Sequence, residues 1–276
     1  MRIDTHQHFW KFDPVRYAWI DDSMAVLKKD FLPEDLALLL KANQIDGCIA
    51  VQADQSEQET EFLLGLAKKH AFIKGVVGWV DLLHKNIENR LEYFSKFKKL
   101  KGIRHIVQAE PAGFMLRNDF QRGISQLKSF GLVYEILIYY NQLEEAVQLV
   151  KNHPQQVFVL DHLGKPNIKG EEIISWEKNI RALAALPNVY CKISGVITEA
   201  DWETWTYEDL VPYFDILFEV FSTKRILFGS DWPVCLNAGS YQEVLQLVEK
   251  YISKFSAKEQ AAIMGENAVK IYNLKK

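Results

Sequence analysis

Short apolar runs rich in β-branched and aromatic residues recur along the chain at 2–6, 48–52, 75–80, 103–107, 132–138, 157–160, 189–193 and 226–228. Their starts lie 25 to 46 residues apart. A strand, a helix and two turns take about 30 residues, so this spacing predicts repeated strand–helix units. Helical patterns fill most of the gaps. Residues 33–42 open with Pro33, Glu34 and Asp35 and continue as a leucine-rich stripe, the chemistry of a helix start. Residues 57–70 carry Phe62, Leu63, Leu66 and Ala67 at helical spacing. Residues 143–152, 176–186, 210–221 and 241–255 read likewise. Strands alternating with helices imply a parallel sheet with helical crossovers. Eight units predict an α/β fold of the (β/α)8 TIM-barrel type. The alternative is an open doubly wound sheet, which would carry a glycine-rich phosphate loop after its first strand. Here that position reads THQHFW.

The length, 276 residues, would suggest roughly two domains at about 150 residues each, but α/β barrels reach about 250 residues as one unit. With no linker or low-complexity stretch, residues 1–276 are expected to form a single domain. Hydrophobic residues make up 48% and charged residues 25%, so the chain can bury a core without disulfides or a structural metal. Lys and Arg total 33 against 36 Asp and Glu, and that balance gives no footprint for nucleic acid or an anionic membrane. Cys48, Cys191 and Cys235 are sparse, odd in number and without a CxxC pair, which fits a reducing compartment. The opening MRIDTHQHFW lacks the basic and apolar regions of a secretion signal, and no apolar run reaches the ~20 residues of a membrane helix. A cytoplasmic location is expected; the oligomeric state stays open.

Candidate chemistry gathers at strand ends. In His6-Gln7-His8 the two imidazoles share one face of a strand. Asp231 ends the eighth run in RILFGSDWPV, where a carboxylate can ligate a metal or accept a proton from water; a helix-capping role is the plain alternative. In VFVLDHLGKP, Asp161 and His162 point to opposite faces if the strand continues, so only one enters the barrel. The same parity separates Arg104 from His105 in KGIRHIV, and an arginine fork suits a lactone or carboxylate oxygen. Lys192 sits within an apolar strand, where a charge needs a partner. Two long connections, after Phe9 and after residue 193, are rich in Trp and Tyr. Trp10, Trp19 and Trp232 are candidates for stacking on a ring substrate, as are Trp202 and Trp205, whereas core packing is the better default for Trp79. No GxSxG, Walker, HExxH or CxxC pattern occurs.

HxH after the first strand, His after the sixth and Asp after the eighth form an ordered set that resembles the amidohydrolase superfamily. With DTHQHFW, YAWI, FLPEDL, GWVDL, GIRH, DHLGKP, KISG and GSDWPV, spanning residues 4 to 234, the chain looks like the sugar-lactonase branch, the L-fuconolactone and L-rhamnonolactone hydrolases; pyrone-dicarboxylate lactonase is a relative. The resemblance implies catalytic roles for His6, His8, His162 and Asp231, with Asp231 as general base. From their own chemistry, Arg104, Lys192, His105, Trp10, Trp19 and Trp232 are expected to contact the substrate. The chain departs from the family in lacking a fifth-strand metal-ligating histidine, since that strand reads LVYEILIYY. His6, His8 and Asp231 remain as ligands for one divalent ion, zinc by preference. A metal-free mechanism using imidazolium and Arg donors is the other expectation. A metal-dependent hydrolase or decarboxylase of another ring carboxylic acid, and a non-catalytic sugar-acid binder, are the alternatives.

Overall fold

The computed structural model describes residues 1–275. Eight parallel strands form one sheet in chain order: β1 (Ile3–Gln7), β2 (Gly47–Val51), β3 (Ile73–Gly78), β4 (Leu100–Ile106), β5 (Val133–Leu137), β6 (Phe158–Leu160), β7 (Val189–Ile193) and β8 (Ile226–Phe228). The end of β8 returns to β1 through Asp231 N–H to the His6 carbonyl at 2.8 Å and His8 N–H to the Trp232 carbonyl at 2.7 Å. The result is a nearly closed (β/α)8 barrel.

The crossovers are α1 (Pro33–Ala42), α2 (Glu57–Lys69), α3 (Ile87–Ser95), α4 (Asn118–Leu127), α5 (Leu143–Asn152), α6 (Ile174–Ala184) and α7 (Tyr207–Phe221), with α8 (Tyr241–Ile252) after β8. Two of these, α3 and α4, fall outside the helical patterns read from the sequence. A short C-terminal pair, α9 (Ala257–Ala261) and α10 (Asn267–Ile271), follows. The turn between them presses on the chain start: a Cβ on Gly265 would stand 2.0 Å from the Met1 carbonyl oxygen.

Strand alternation divides the apolar residues in two. Ile3, Ile49, Val51, Val77, Val133, Val159 and Leu227 pack together inside the barrel, where Ala268, Tyr272 and Leu274 from the C-terminal segment close its floor. The opposite strand faces join the helices in a larger outer core. Continuing the inner parity upward brings Arg104, Glu135 and Lys192 into the interior above this floor. In β1 the register shifts between Asp4 and Gln7. This irregularity lets Ile3 and, three residues on, His6 both face inward. No described helix is long and apolar enough to cross a membrane.

Candidate active site

The C-terminal ends of β1, β6 and β8 bring four side chains together. The Nε2 atoms of His6 and His8 lie 3.2 Å apart. Asp231 Oδ1 stands 3.7 Å from His6 Nε2, 3.5 Å from His8 Nε2 and 4.0 Å from His162 Nε2. All four residues are buried to within 4% exposure. Asp231 (φ +58°) and His162 (φ +52°) both hold left-handed backbone, which is uncommon outside glycine and is concentrated at functional sites.

Each imidazole is oriented by a second partner. His8 Nδ1 lies 2.8 Å from the Val51 carbonyl. A carbonyl only accepts, so Nδ1 carries a proton, and Nε2 faces Asp231. His162 Nδ1 lies 3.0 Å from Ser194 Oγ. Gly195 and Gly229 make room for the rings: a Cβ would fall 2.4 Å from His162 Nδ1 and 2.7 Å from His6 Cβ, respectively. Gly195 also has φ +61°, which costs an L-residue about 1–2 kcal/mol. Gly195→Ala is therefore expected to lower the melting temperature by about 2–8 °C; a thermal melt indistinguishable from wild type would contradict this packing.

Beneath His6 lies a buried ionic network. Lys192 Nζ is 2.6 Å from Glu135 Oε2, 3.1 Å from Asp161 Oδ1 and 3.2 Å from His6 Nδ1. Arg104 Nη1 is 3.1 Å from Asp161 Oδ2 and 3.3 Å from His6 Nε2, and its Nη2 donates to the Gln52 carbonyl. Tyr272 donates from the barrel floor to Glu135. Burial works against the charge of Asp161, but Lys192, His6 and Arg104 hold it well below the ordinary carboxylate range. Burial also pushes His6 and His162 well below the usual imidazole range, so both rings are neutral at neutral pH. The expected imidazolium donors are thereby corrected to neutral rings at these two positions. Burial of Asp231 is outweighed by His162, His8 and Lys165, which keep it a carboxylate.

His6, His8 and Asp231 each aim a donor atom into one volume, all within 4.8 Å of one another. The three atoms lie 3.2–3.7 Å apart. The spacing is close to the ~3.3 Å edge of a tetrahedron with 2.0–2.1 Å bonds. The residues fit a divalent ion. His6, Asp161 and His162 form a second such cluster, but Lys192 and Arg104 already neutralise Asp161.

A cavity of about 490 Å³ opens above these groups, lined by His8, Arg104, His162, Asp231, Trp19 and Trp202 among others. A groove of about 440 Å³ around Lys169, Trp205 and Tyr213 holds none of them.

Several expected substrate contacts are corrected by their placement. His105 points out of the barrel, stacked on Phe114 at 4.9 Å, with Nε2 2.8 Å from Glu110 and Nδ1 accepting from Trp79. Trp10 is fully buried, edge-on to Phe31, and donates to the Lys29 carbonyl. Trp232 packs on Phe9 and Phe31. Lys192 lies under His6 and does not line the cavity. Asp161 and His162 both serve the site, because β6 ends at Leu160 and strand parity no longer applies to the turn that follows. The sequence reading assigned no role to Lys165, Glu199, Gln108 or Asn237, all of which line the cavity; only Lys165 fell within a quoted motif, DHLGKP.

Comparison with known proteins agrees with this architecture. The sequence model of the amidohydrolase family matches residues 3–274. An L-fucono-1,5-lactonase of Burkholderia multivorans is 40% identical over 99% of this chain and 96% of its own length. An L-rhamnono-gamma-lactonase of Scheffersomyces stipitis is 26% identical over 65% of this chain and 61% of its own. The crystal structure of an amidohydrolase from Burkholderia multivorans with bound zinc superposes with a TM-score of 0.97, at 40% identity and full coverage of both chains. A match across nearly the whole barrel, including every strand that supplies a residue to this site, makes the chain a member of the amidohydrolase family.

Proposed function

We propose that this protein hydrolyses a sugar-acid lactone such as L-fuconolactone to the open aldonic acid. The observation that carries the reading is the convergence of His6, His8 and His162 on one carboxylate, Asp231, at the base of a cavity sized for one small ring. The 40% identical L-fucono-1,5-lactonase supports the choice of substrate class. The three imidazoles approach Oδ1 of Asp231, which leaves Oδ2 for the proton of water. As Asp231 takes that proton, the water oxygen bonds to the lactone carbonyl carbon and the carbonyl oxygen gains charge. Arg104, clamped by Asp161 and Gln52, stands at the cavity wall to stabilise that charge. The ring C–O bond then breaks, and Asp231 returns its proton to the departing oxygen, which stays attached as a hydroxyl. Lys192 fixes His6 and Asp161 from below and holds no substrate oxygen. Trp19 and Trp202 face the ring. A divalent ion held by His6, His8 and Asp231, zinc by this reading, would supply Lewis-acid polarisation of the carbonyl. The free, buried thiols of Cys48, Cys191 and Cys235 support a cytoplasmic setting.

A pH-indicator assay on a panel of aldonolactones, including L-fucono- and L-rhamnonolactone, tests the reading. Turnover of at least one sugar lactone is expected; none, with folded and metal-loaded protein, would overturn it. Repeating the assay with a chelator separates the two ways of polarising the carbonyl. Loss that only zinc restores assigns the ion a role, while full turnover by protein shown to be metal-free leaves the task to Arg104 and the neutral rings. Independently of activity, equilibrium dialysis is expected to find bound zinc in the wild type. In His8→Ala, which removes one of three ligands, affinity should fall at least ~100-fold. Unchanged zinc affinity in that variant would exclude this donor set.

A further inference from the structure

Each charged group of the cavity wall outside the catalytic cluster already has a partner, whereas a neutral group does not. Arg104 is paired with Asp161 at 3.1 Å. Lys165, held in left-handed backbone just after His162, is paired with Glu199 at 3.1 Å. Asn237 ends the turn Val234–Asn237, which follows Asp231. Both atoms of its amide, Nδ2 and Oδ1, are buried without any hydrogen-bond partner, and so is Oε1 of Gln108 across the same cavity.

We propose that Asn237 and the Lys165–Glu199 pair determine specificity, by reading hydroxyls on a neutral, polyhydroxylated lactone. This rests on the lactonase reading of the site. Buried amide atoms left unpaired lose their hydration without return, so a ligand toward which these cavity-lining side chains turn their amides gains that free energy. The type of ligand follows from donor and acceptor count. Asn237 Oδ1 and Gln108 Oε1 need donors, and Asn237 Nδ2 needs an acceptor. A hydroxyl is both. A carboxylate only accepts, so a ring dicarboxylate would leave both amide oxygens unsatisfied and would bring its charge against Glu199. Beyond the carbonyl site it would also find no unpaired cation, because Lys165 is already paired with Glu199. The paired Lys165 and Glu199 offer a donor and an acceptor side by side, the arrangement that grips two adjacent hydroxyls. The outer wall of the cavity is thus built for a polyol.

The test compares a hydroxylated 1,5-aldonolactone with δ-valerolactone, the same ring without hydroxyls. The measured quantity is the ratio of their kcat/KM values. Wild type is expected to favour the hydroxylated ring strongly, since a site with buried groups aimed at hydroxyls discriminates against an analogue that lacks them. In Asn237→Leu the ratio should fall about 10–100-fold, mostly through KM, and in the near-isosteric Glu199→Gln about 10-fold. The ratio is insensitive to a general loss of active protein. A ratio within about 2-fold of wild type in both variants overturns the inference and leaves the lactonase reading standing. So does a wild type that treats both rings alike. A wild type that hydrolyses neither ring removes both.

Discussion

Asp231→Asn is expected to lower kcat for lactone hydrolysis by about 10³-fold while leaving the melting temperature close to that of wild type. The two halves of this expectation have separate causes. An amide is nearly isosteric with the carboxylate but cannot accept a proton from water, so the attack loses its base. Asn is also one of the few residues that tolerate left-handed backbone, and Asp231 has φ +58°. The backbone hydrogen bond from residue 231 to the His6 carbonyl survives the change. Asp231→Ala would mix loss of the base with added backbone strain and is the poorer experiment. Steady-state kinetics with a thermal melt on the same preparation decides the matter: a variant retaining full turnover would remove Asp231 from the role of general base.

Lys192→Met should have the largest effect on stability. The substitution keeps the length of the side chain and removes its charge, leaving Glu135 and Asp161 fully buried beside each other. Breaking a buried ion pair from one side costs about 3–5 kcal/mol, because the remaining charge loses its partner without regaining water. At about 2–4 °C per kcal/mol for a chain of this size, the melting temperature should fall by about 6–20 °C. Adding Glu135→Gln removes one of the stranded charges, so the double variant should melt above the level expected from adding the two single losses. A Lys192→Met protein melting within about 2 °C of wild type would show that the network contributes little to stability.

The fold was legible because it repeats. Eight recurring apolar runs located every strand to within about three residues, and 189–193 and 226–228 match β7 and β8 in full. Two helices escaped for identifiable reasons. The segment α3, IENRLEYFS, buries only Ile87, Leu91 and Phe94, too short a stripe to stand out. In α4, Gly123 interrupts the pattern with a residue of poor helix propensity, and the structure shows why it is there. A Cβ at that position would meet the Leu82 carbonyl at 2.2 Å.

The grouping of the candidate residues was legible where chemistry and strand ends coincide, as at His6, His8, His162 and Asp231, which the fold brings together. Parity separated Arg104 from His105 because both lie inside β4. It misjudged Asp161 and His162 because β6 stops one residue earlier. The partner of Lys192 was out of reach: Glu135 comes from β5, two strands away, and they meet only across the barrel interior. Trp10 and Trp232 show a further limit. An aromatic residue near a strand end serves core and substrate equally well, and only burial tells them apart.

The position of Tyr272 has a bearing on biosynthesis. It belongs to the segment that closes the barrel floor, and it donates to Glu135, which in turn holds Lys192 beneath His6. All eight strands have been synthesised before residue 272 is added, at about 5–20 residues per second. A nascent chain can therefore have its full complement of strands while the charges under His6 still lack their last hydrogen-bond donor. A segment made early, which supplies His6 and His8, waits on a residue made after every strand, so the hydrogen bonding beneath the site cannot be complete on a ribosome stalled before that codon.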